Sequence, residues 1–388
     1  MTTHPHRYLP SWAAAVSAAC CAAATACGAP SPDGALAFPA LDVVTELDDL
    51  DHPWDVVAAP DGTLLTGERS GRFVVKHPDG STGVLAADLP DLVVHHELGL
   101  MGIALATDFE VTRTLYTCHT HAAGEVTDIR VQSWTANVQW TALTPTGVLI
   151  DGLPLSDRGR HGGCRLLPHQ DGTLLISTGD ATQAAAPQDL NSLGGKVLRI
   201  EAATGSPPVD NPFPDSAVYT LGHRNVQGLT VHTGTGDIYS VEQGTHRDDE
   251  VNRLVAGGNY GWKPDTGDGF YDESVPMTDL DRVPAAIEAV WSSGTATIAT
   301  ASGTFVTGPG WGDWDGALAV GVQKGRKVLF LRLDPTGAHV VAETAPPELA
   351  GNYGRIRTVT AQPGGSLLVT TDNGDGDQVL RVRPKAGQ

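Results

Sequence analysis

One short cassette recurs along this chain. It consists of a turn of Asp-Gly or Pro-Gly type, an apolar strand-like run, and a polar, glycine-rich loop. It reads Pro-Asp-Gly-Thr-Leu-Leu-Thr-Gly-Glu-Arg at residues 60–69 and Gln-Asp-Gly-Thr-Leu-Leu-Ile-Ser-Thr-Gly-Asp at 170–180. It returns as Gly-Asp-Ile-Tyr-Ser-Val-Glu-Gln-Gly at 236–244 and as Asp-Gly-Ala-Leu-Ala-Val-Gly-Val-Gln-Lys at 315–324. The last copy is Pro-Gly-Gly-Ser-Leu-Leu-Val-Thr-Thr-Asp at 363–372, and residues 107–117 fill the gap after the first. Helical periodicity is hard to find after Leu41, whereas short Val, Leu, Ile, Thr and Tyr runs alternate with turn clusters. Six such units predict an all-β fold, a six-bladed β-propeller whose strands run from an outer turn to a loop facing the central channel. A pair of β-sandwiches competes, but it leaves unexplained why polar groups always follow the strand.

The chain has 388 residues and a formal net charge of −20. That length suffices for a large core. The charge excludes a nucleic-acid partner, because phosphate binding needs a basic face. It suits a soluble, exported protein.

The N-terminus reads as a targeting segment. His4, His6 and Arg7 precede an alanine-rich apolar stretch, residues 12–26, too short to span a bilayer. Residues 1–26 are therefore expected to be a signal peptide, 27–40 a flexible tether and 41–386 the propeller. Thr25-Ala26-Cys27-Gly28 resembles a bacterial lipoprotein box, with Cys27 as the lipidated residue. Ordinary secretion, with cleavage near Ala29, is the alternative. Small residues before Cys27 and the Gly/Pro/Ser/Asp tether after it favour the cell-envelope lipoprotein, whose lipid anchors it to a membrane.

Cysteine usage agrees with export. Cys20 and Cys21 leave with the signal, which leaves Cys118 and Cys164 as an even pair in an oxidising compartment. A disulfide between strands is expected. There is no CxxC pair to bind zinc.

Chemistry concentrates between His161 and Trp262. His161 lies beside two glycines, which allow close approach of backbone or ligand. Arg224, Asn225 and Gln227 sit between Gly222 and Gly228. Such donors can hold a planar, carbonyl-rich anion, or they can form a polar network between blades.

The order of further motifs resolves this choice. Residues 97–105 (Glu-Leu-Gly-Leu-Met-Gly-Ile-Ala-Leu), Gly195-Lys-Val-Leu-Arg-Ile200 and Asp210-Asn-Pro-Phe213 resemble landmarks of one family. So do Gly222-His-Arg-Asn-Val-Gln-Gly228 and Gly258-Asn-Tyr-Gly-Trp262. The chain resembles the soluble pyrroloquinoline-quinone (PQQ) dependent sugar dehydrogenases, the glucose/sorbosone dehydrogenase family. The similarity runs from about Leu47 to the C-terminus. The family fold is a six-bladed propeller, as the repeats also predict.

The resemblance implies roles. His161 matches the general base that takes the sugar hydroxyl proton as hydride moves from the sugar C1 to PQQ. Arg224, Asn225 and Gln227 match cofactor-contacting residues, with Arg224 also catalytic because it stabilises charge growing on the quinone oxygen. Lys324 matches a lysine that reaches the cofactor, and Glu97 falls where relatives have Gln or Glu near it. Arg355 and Arg357 match a pair that binds the cofactor carboxylates. An Arg-x-Arg on a strand puts both guanidiniums on one face.

Calcium is implied as well. The family completes a Ca²⁺ site on PQQ with two backbone carbonyls, here those of Gly244 and Thr245. A second, structural calcium uses a glutamate side chain and a tyrosine carbonyl, here Glu250 and Tyr260. Oxygen ligands in this number suit Ca²⁺. Three positions depart from the family pattern, the first being Thr245, which replaces a common proline at little cost because only its carbonyl is needed. Arg160 stands where relatives often carry an acid, so Asp157 and Asp180 are the candidates to orient His161. The glutamine that relatives present after Asp180 corresponds to Gln183 or Gln188, or is missing.

The expected activity is PQQ- and calcium-dependent oxidation of aldose sugars, with electrons passed to an external quinone, cytochrome or dye. The alternatives are a redox-inactive propeller that binds carbohydrate or protein, and a metal-dependent lactonase-like hydrolase. A binding module has no need of His161, Arg224, Lys324 and the Arg355/Arg357 pair together. A lactonase needs carboxylates converging on one metal instead.

Overall fold

The computed structural model describes residues 36–267 and 269–385. The expected signal peptide, Cys27 and most of the expected tether lie outside the described residues. Where the expected tether meets the body, Phe38 packs its ring against Trp314 and Phe330, with centroids 5.3 and 4.7 Å apart.

The described residues form six four-stranded antiparallel sheets. Strand β1 (Leu41–Leu50) comes first. The first blade is β2 (Pro53–Ala58), β3 (Leu64–Glu68), β4 (Phe73–Lys76) and β5 (Thr82–Leu85). The second is β6 (Leu100–Leu105), β7 (Thr114–Ala123), β8 (Val126–Ala136) and β9 (Leu143–Leu153). The third is β10 (Gly163–Pro168), β11 (Thr173–Thr178), β12 (Lys196–Glu201) and β13 (Val218–Leu221). The fourth is β14 (Val226–Val231), β15 (Ile238–Glu242), β16 (Glu250–Arg253) and β17 (Trp291–Ser292). The fifth is β18 (Thr300–Phe305), β19 (Leu318–Val322), β20 (Lys327–Leu333) and β21 (Val340–Thr344). Strands β22 (Ile356–Ala361), β23 (Leu367–Thr371) and β24 (Asp377–Pro384) make the sixth, and β1 completes it. Leu41 pairs with Pro384 and Val43 with Val382, so backbone hydrogen bonds close the ring between the two ends of the body.

Each cassette falls on the second strand of its blade: β3, β7, β11, β15, β19 and β23. The local reason is the turn before it. Gly172 has φ 86°, a left-handed conformation that a side chain disfavours, and Asp171 accepts the Thr173 N–H at 2.9 Å. The apolar run that follows is buried along its whole length. First strands β2, β6, β10, β14, β18 and β22 lie side by side around the centre, each against the next. Apolar clusters fill the seams, for example Leu98, Met101, Val131, Leu166 and Ile176 between the second and third blades. The disulfide Cys118–Cys164 joins β7 to β10 and so staples those two blades.

The channel is blocked midway. Arg165 Nη1 lies 2.6 Å from Asp55 Oδ2, and its guanidinium stacks over Trp54 at 4.4 Å. Arg165 Nε also donates to the Gln227 carbonyl and Nη2 to Thr358 Oγ1. A buried pair with its remaining donors satisfied is the arrangement that makes such burial tolerable. Beyond it, the far end of the channel is a concavity walled by aliphatic residues such as Val56, Leu166 and Val359. The titratable cluster lies at the other mouth, where the inner strands begin. No helix among the described residues is long and apolar enough to cross a membrane.

Candidate active site at the channel mouth

His161 sits just before β10 with φ 59°, an unusual backbone for a non-glycine residue. Two contacts hold it there. Its N–H donates to Glu97 Oε1 at 2.6 Å. Its carbonyl presses on Gly179, where an added Cβ would lie 1.9 Å from the oxygen, so that position must stay glycine. The strain sits at a residue that lines a cavity, which is where such strain is informative.

The imidazole is oriented by a buried carboxylate. His161 Nδ1 lies 2.8 Å from Asp180 Oδ1, and Thr182 N–H donates to the same oxygen. Trp262 Nε1 and the Tyr271 hydroxyl donate to Asp180 Oδ2 at 2.8 and 2.7 Å. Burial pushes the Asp180 carboxyl up, but the His161 bond, its charge and the Arg224 charge outweigh that and hold it below the usual range. Burial and the Asp180 charge push the Tyr271 hydroxyl up, which keeps it a donor. With an anionic Asp180 accepting at Nδ1, the proton of neutral His161 resides there. Nε2 then carries the lone pair that can take a proton. Of the two acids considered from sequence, Asp157 is exposed, and Asp180 makes this contact.

Arg224 lies across the cavity. Its Nη1 donates to the Gly244 and Gln243 carbonyls at 2.7 and 3.1 Å, and its Nη2 to Glu273 Oε1 at 2.8 Å. Glu242 fixes its backbone by accepting the Arg224 N–H and His223 Nδ1. Asn225 accepts the Gly163 N–H through Oδ1. Together Glu97, Arg160, His161, Arg224, Gln243, Gly244, Thr245, His246 and Glu273 line a cavity of about 300 Å³.

A second group joins from the opposite blades. Arg357 donates to Gln227 Oε1 at 3.1 Å and pairs with Asp372. Arg69 reaches the same carboxylate at 3.2 Å, and His52 Nδ1 at 2.6 Å. Arg355 donates to Gln323 Oε1. Lys324 is not brought to the cavity lining: it is exposed on the turn after β19, and buried Gln323 turns inward instead. Gln188 is committed to Asn259 and the Trp262 carbonyl, and Gln183 is exposed.

The structure brings Glu250 and Tyr260 together. Thr278 Oγ1 lies 3.1 Å from Glu250 Oε1 and 3.3 Å from the Tyr260 carbonyl. Burial and the neighbouring Glu242 push the Glu250 carboxyl up to about 8. Asn252 Oδ1 is buried beside it without a donor.

These orphans indicate what each place would accept. Arg224 Nε, Asn225 Nδ2 and Gln323 Nε2 are buried donors without partners, which fits an anionic, carbonyl-bearing ligand such as PQQ. Beside Glu250 the unmet atom is the Asn252 Oδ1 acceptor, which fits a hard cation such as Ca²⁺.

Asp180, Tyr271, Glu273, Arg69 and Asp372 were not singled out as site residues in the sequence. Asp180 was weighed only as one of two acids. Arg69, Asp180 and Asp372 close three of the cassettes, and that position was the available signal.

The family model for glucose/sorbosone dehydrogenase matches residues 50–381. The aldose sugar dehydrogenase of Escherichia coli is 28% identical over 351 residues, covering 87% of this chain and 91% of that protein. Quinoprotein glucose dehydrogenase B of Acinetobacter calcoaceticus is 28% identical over 408 residues, covering 84% of each. The PQQ-bound aldose sugar dehydrogenase of Streptomyces coelicolor superposes with a TM-score of 0.71 at 28% identity, covering 89% of this chain and 99% of that one.

Proposed function

This chain belongs to the glucose/sorbosone dehydrogenase family, and on that premise we propose that it oxidises aldose sugars at C1 with PQQ and Ca²⁺. PQQ, when bound, would take up the hydride, and the electrons would pass to an external acceptor such as a quinone, cytochrome or dye. His161 takes the C1 hydroxyl proton at Nε2, while Asp180 keeps the other nitrogen protonated and the ring in place. Arg224 presents positive charge to oxygen that becomes negative. Asn225, Gln227, Arg355 and Arg357 would hold the cofactor with Glu97 beside it, and Lys324, exposed on its turn, would have to fold over the mouth to reach it. The carbonyls of Gly244, which now accepts from Arg224, and of Thr245 would hold the calcium at the cofactor, and Glu250 with the Tyr260 carbonyl would hold a second. We also infer export, because a disulfide persists in an oxidising compartment. A lipid on Cys27 would then tether the chain to a membrane.

One observation carries this reading: a histidine held by a buried carboxylate faces an arginine whose neighbours include buried donors without acceptors. The test is to load the protein with PQQ and Ca²⁺ and follow dye reduction across a panel of aldoses. Reduction that requires all three components is expected. A protein that binds PQQ but reduces no dye with any aldose would overturn the aldose dehydrogenase reading and favour the redox-inactive binding propeller.

A further inference from the structure

The propeller repeats one backbone hydrogen bond at this mouth. The residue directly after the second strand donates its N–H to the residue directly before the first. Gln243 donates to the Asn225 carbonyl at 3.0 Å, Gln323 to Ala299 at 2.8 Å and Asp372 to Arg355 at 3.0 Å. Arg69 donates to His52 at 3.2 Å. By this pseudo-symmetry Arg69 occupies in the first blade the place that Gln243, a cavity-lining residue, occupies in the fourth.

Its side chain is held but not satisfied. Nη1 donates to the His96 carbonyl at 2.8 Å and Nη2 pairs with Asp372 at 3.2 Å, while Nε is buried without a partner. Asp372 is already paired with Arg357. Arg355 has only the neutral Gln323 amide as its side-chain partner. The carboxylates around Arg69 and Arg355 are Asp372 and Glu97, with Asp51 also beside Arg69 and Asp377 next to Asp372. What the cluster lacks is an acceptor for the buried Arg69 Nε, and a carboxylate-bearing ligand would supply one.

We propose that Arg69 is a third arginine of the cofactor clamp, binding a carboxylate of PQQ alongside Arg355 and Arg357, with Asp372 setting the angle between Arg69 and Arg357. This rests on the PQQ reading above. It extends the clamp into the first blade, so that the cofactor would span the sixth and first blades.

The test is equilibrium titration of the full, calcium-loaded protein with PQQ, read by quinone absorbance and independent of turnover. PQQ and its methyl ester, which lacks the carboxylate charge, are compared in wild type and Arg69→Gln. PQQ affinity should fall about tenfold or more in Arg69→Gln, as for loss of a charge-assisted bond, and preference for the acid over the ester should shrink. A folded Arg69→Gln with wild-type PQQ affinity and wild-type ester discrimination overturns the assignment. If that variant does not fold, Arg69→Met keeps the apolar stem and drops the charge, with Asp372 still paired to Arg357 and His52; unchanged affinity there overturns the assignment equally. Wild type that binds no PQQ overturns the function itself, whereas tight wild-type binding with unaltered variants removes Arg69 alone.

Discussion

Asp180 Oδ1 lies 2.8 Å from His161 Nδ1, and its other oxygen receives both Trp262 and Tyr271. The carboxylate is thus a hub: the loop carrying Trp262 and Tyr271 fixes the imidazole without touching its reactive nitrogen. His161→Ala should leave PQQ affinity nearly intact and lower turnover by roughly 10²–10⁴-fold, the span of a general base. Asp180→Asn should also lower turnover strongly, because an amide can donate to Nδ1 and favour the wrong tautomer. Steady-state dye reduction measures both, and near-normal turnover in a folded His161→Ala removes the base.

The Cys118–Cys164 bond closes a sequence separation of 46 residues between two blades. Replacing both cysteines by serine should cost about 2–4 kcal/mol. Chemical denaturation under oxidising conditions reads this out. A double variant as stable as wild type shows that the seam packing alone holds the two blades.

Acid should weaken the fold through His119. It is buried on β7, facing Thr117 Oγ1 at 3.2 Å with Arg130, His121 and Asp128 nearby. Burial, then the Arg130 and His121 charges, push it from 6.5 down to about 4. The unfolded chain therefore binds more protons between these values. Its contribution to stability is complete above about 6.5, declines as pH falls, and is lost below about 4. The full difference is at most about 3 kcal/mol. Melting temperatures across that window should fall less steeply for His119→Gln than for wild type. Parallel profiles would mean that other groups govern the acid response.

The blade count was legible because each second strand carries its own turn, and turn chemistry is local. The inner strands were not, because polar residues such as Arg224 and Asn225 lead into them, and the burial of those residues depends on the neighbouring blades. The same limit applied at the site. Tyr271 meets Asp180 across 91 positions, and Arg69 meets Asp372 across 303. No spacing rule reaches that far. Lys324 shows the converse: a motif match sets a position in the chain, whereas burial went to Gln323 beside it.

Calcium should stabilise the protein through Glu250. In the absence of a cation this carboxyl shares its surroundings with Glu242, and the Asn252 oxygen has no donor. A divalent ion would satisfy both, and any ligand that binds only the folded state raises stability by mass action, by about 2.7 kcal/mol at one hundred times its dissociation constant. The melting temperature should therefore rise with calcium and fall with a chelator. Glu250→Gln should abolish most of that response and lower the calcium-free melting temperature little, because a carboxyl pushed up to about 8 is already mostly neutral at pH 7 and the amide matches its shape. If the variant keeps the full calcium response, the stabilising ion binds elsewhere, and the carbonyls of Gly244 and Thr245 become the next place to look.

Removing both Arg355 and Arg357 tests the clamp from the other side of the ring. Arg357 is buried between Asp372 and Gln227, whereas Arg355 is half-buried with only the Gln323 side chain. Replacing Arg357 alone leaves Asp372 with Arg69 and His52, so the buried carboxylate is not stranded. Each charge-assisted bond to the cofactor should contribute about 1.5–3 kcal/mol. The Arg355→Ala/Arg357→Ala variant should therefore bind PQQ weaker by several powers of ten, while turnover at saturating PQQ stays near that of wild type. Calcium affinity measured with PQQ present should fall in parallel, because the cofactor supplies part of that ion's ligands. PQQ titration with melting temperature recorded alongside separates lost contacts from lost fold. Unchanged PQQ affinity in a folded double variant would place the cofactor away from the sixth blade, and Arg69 would lose its neighbours in the clamp.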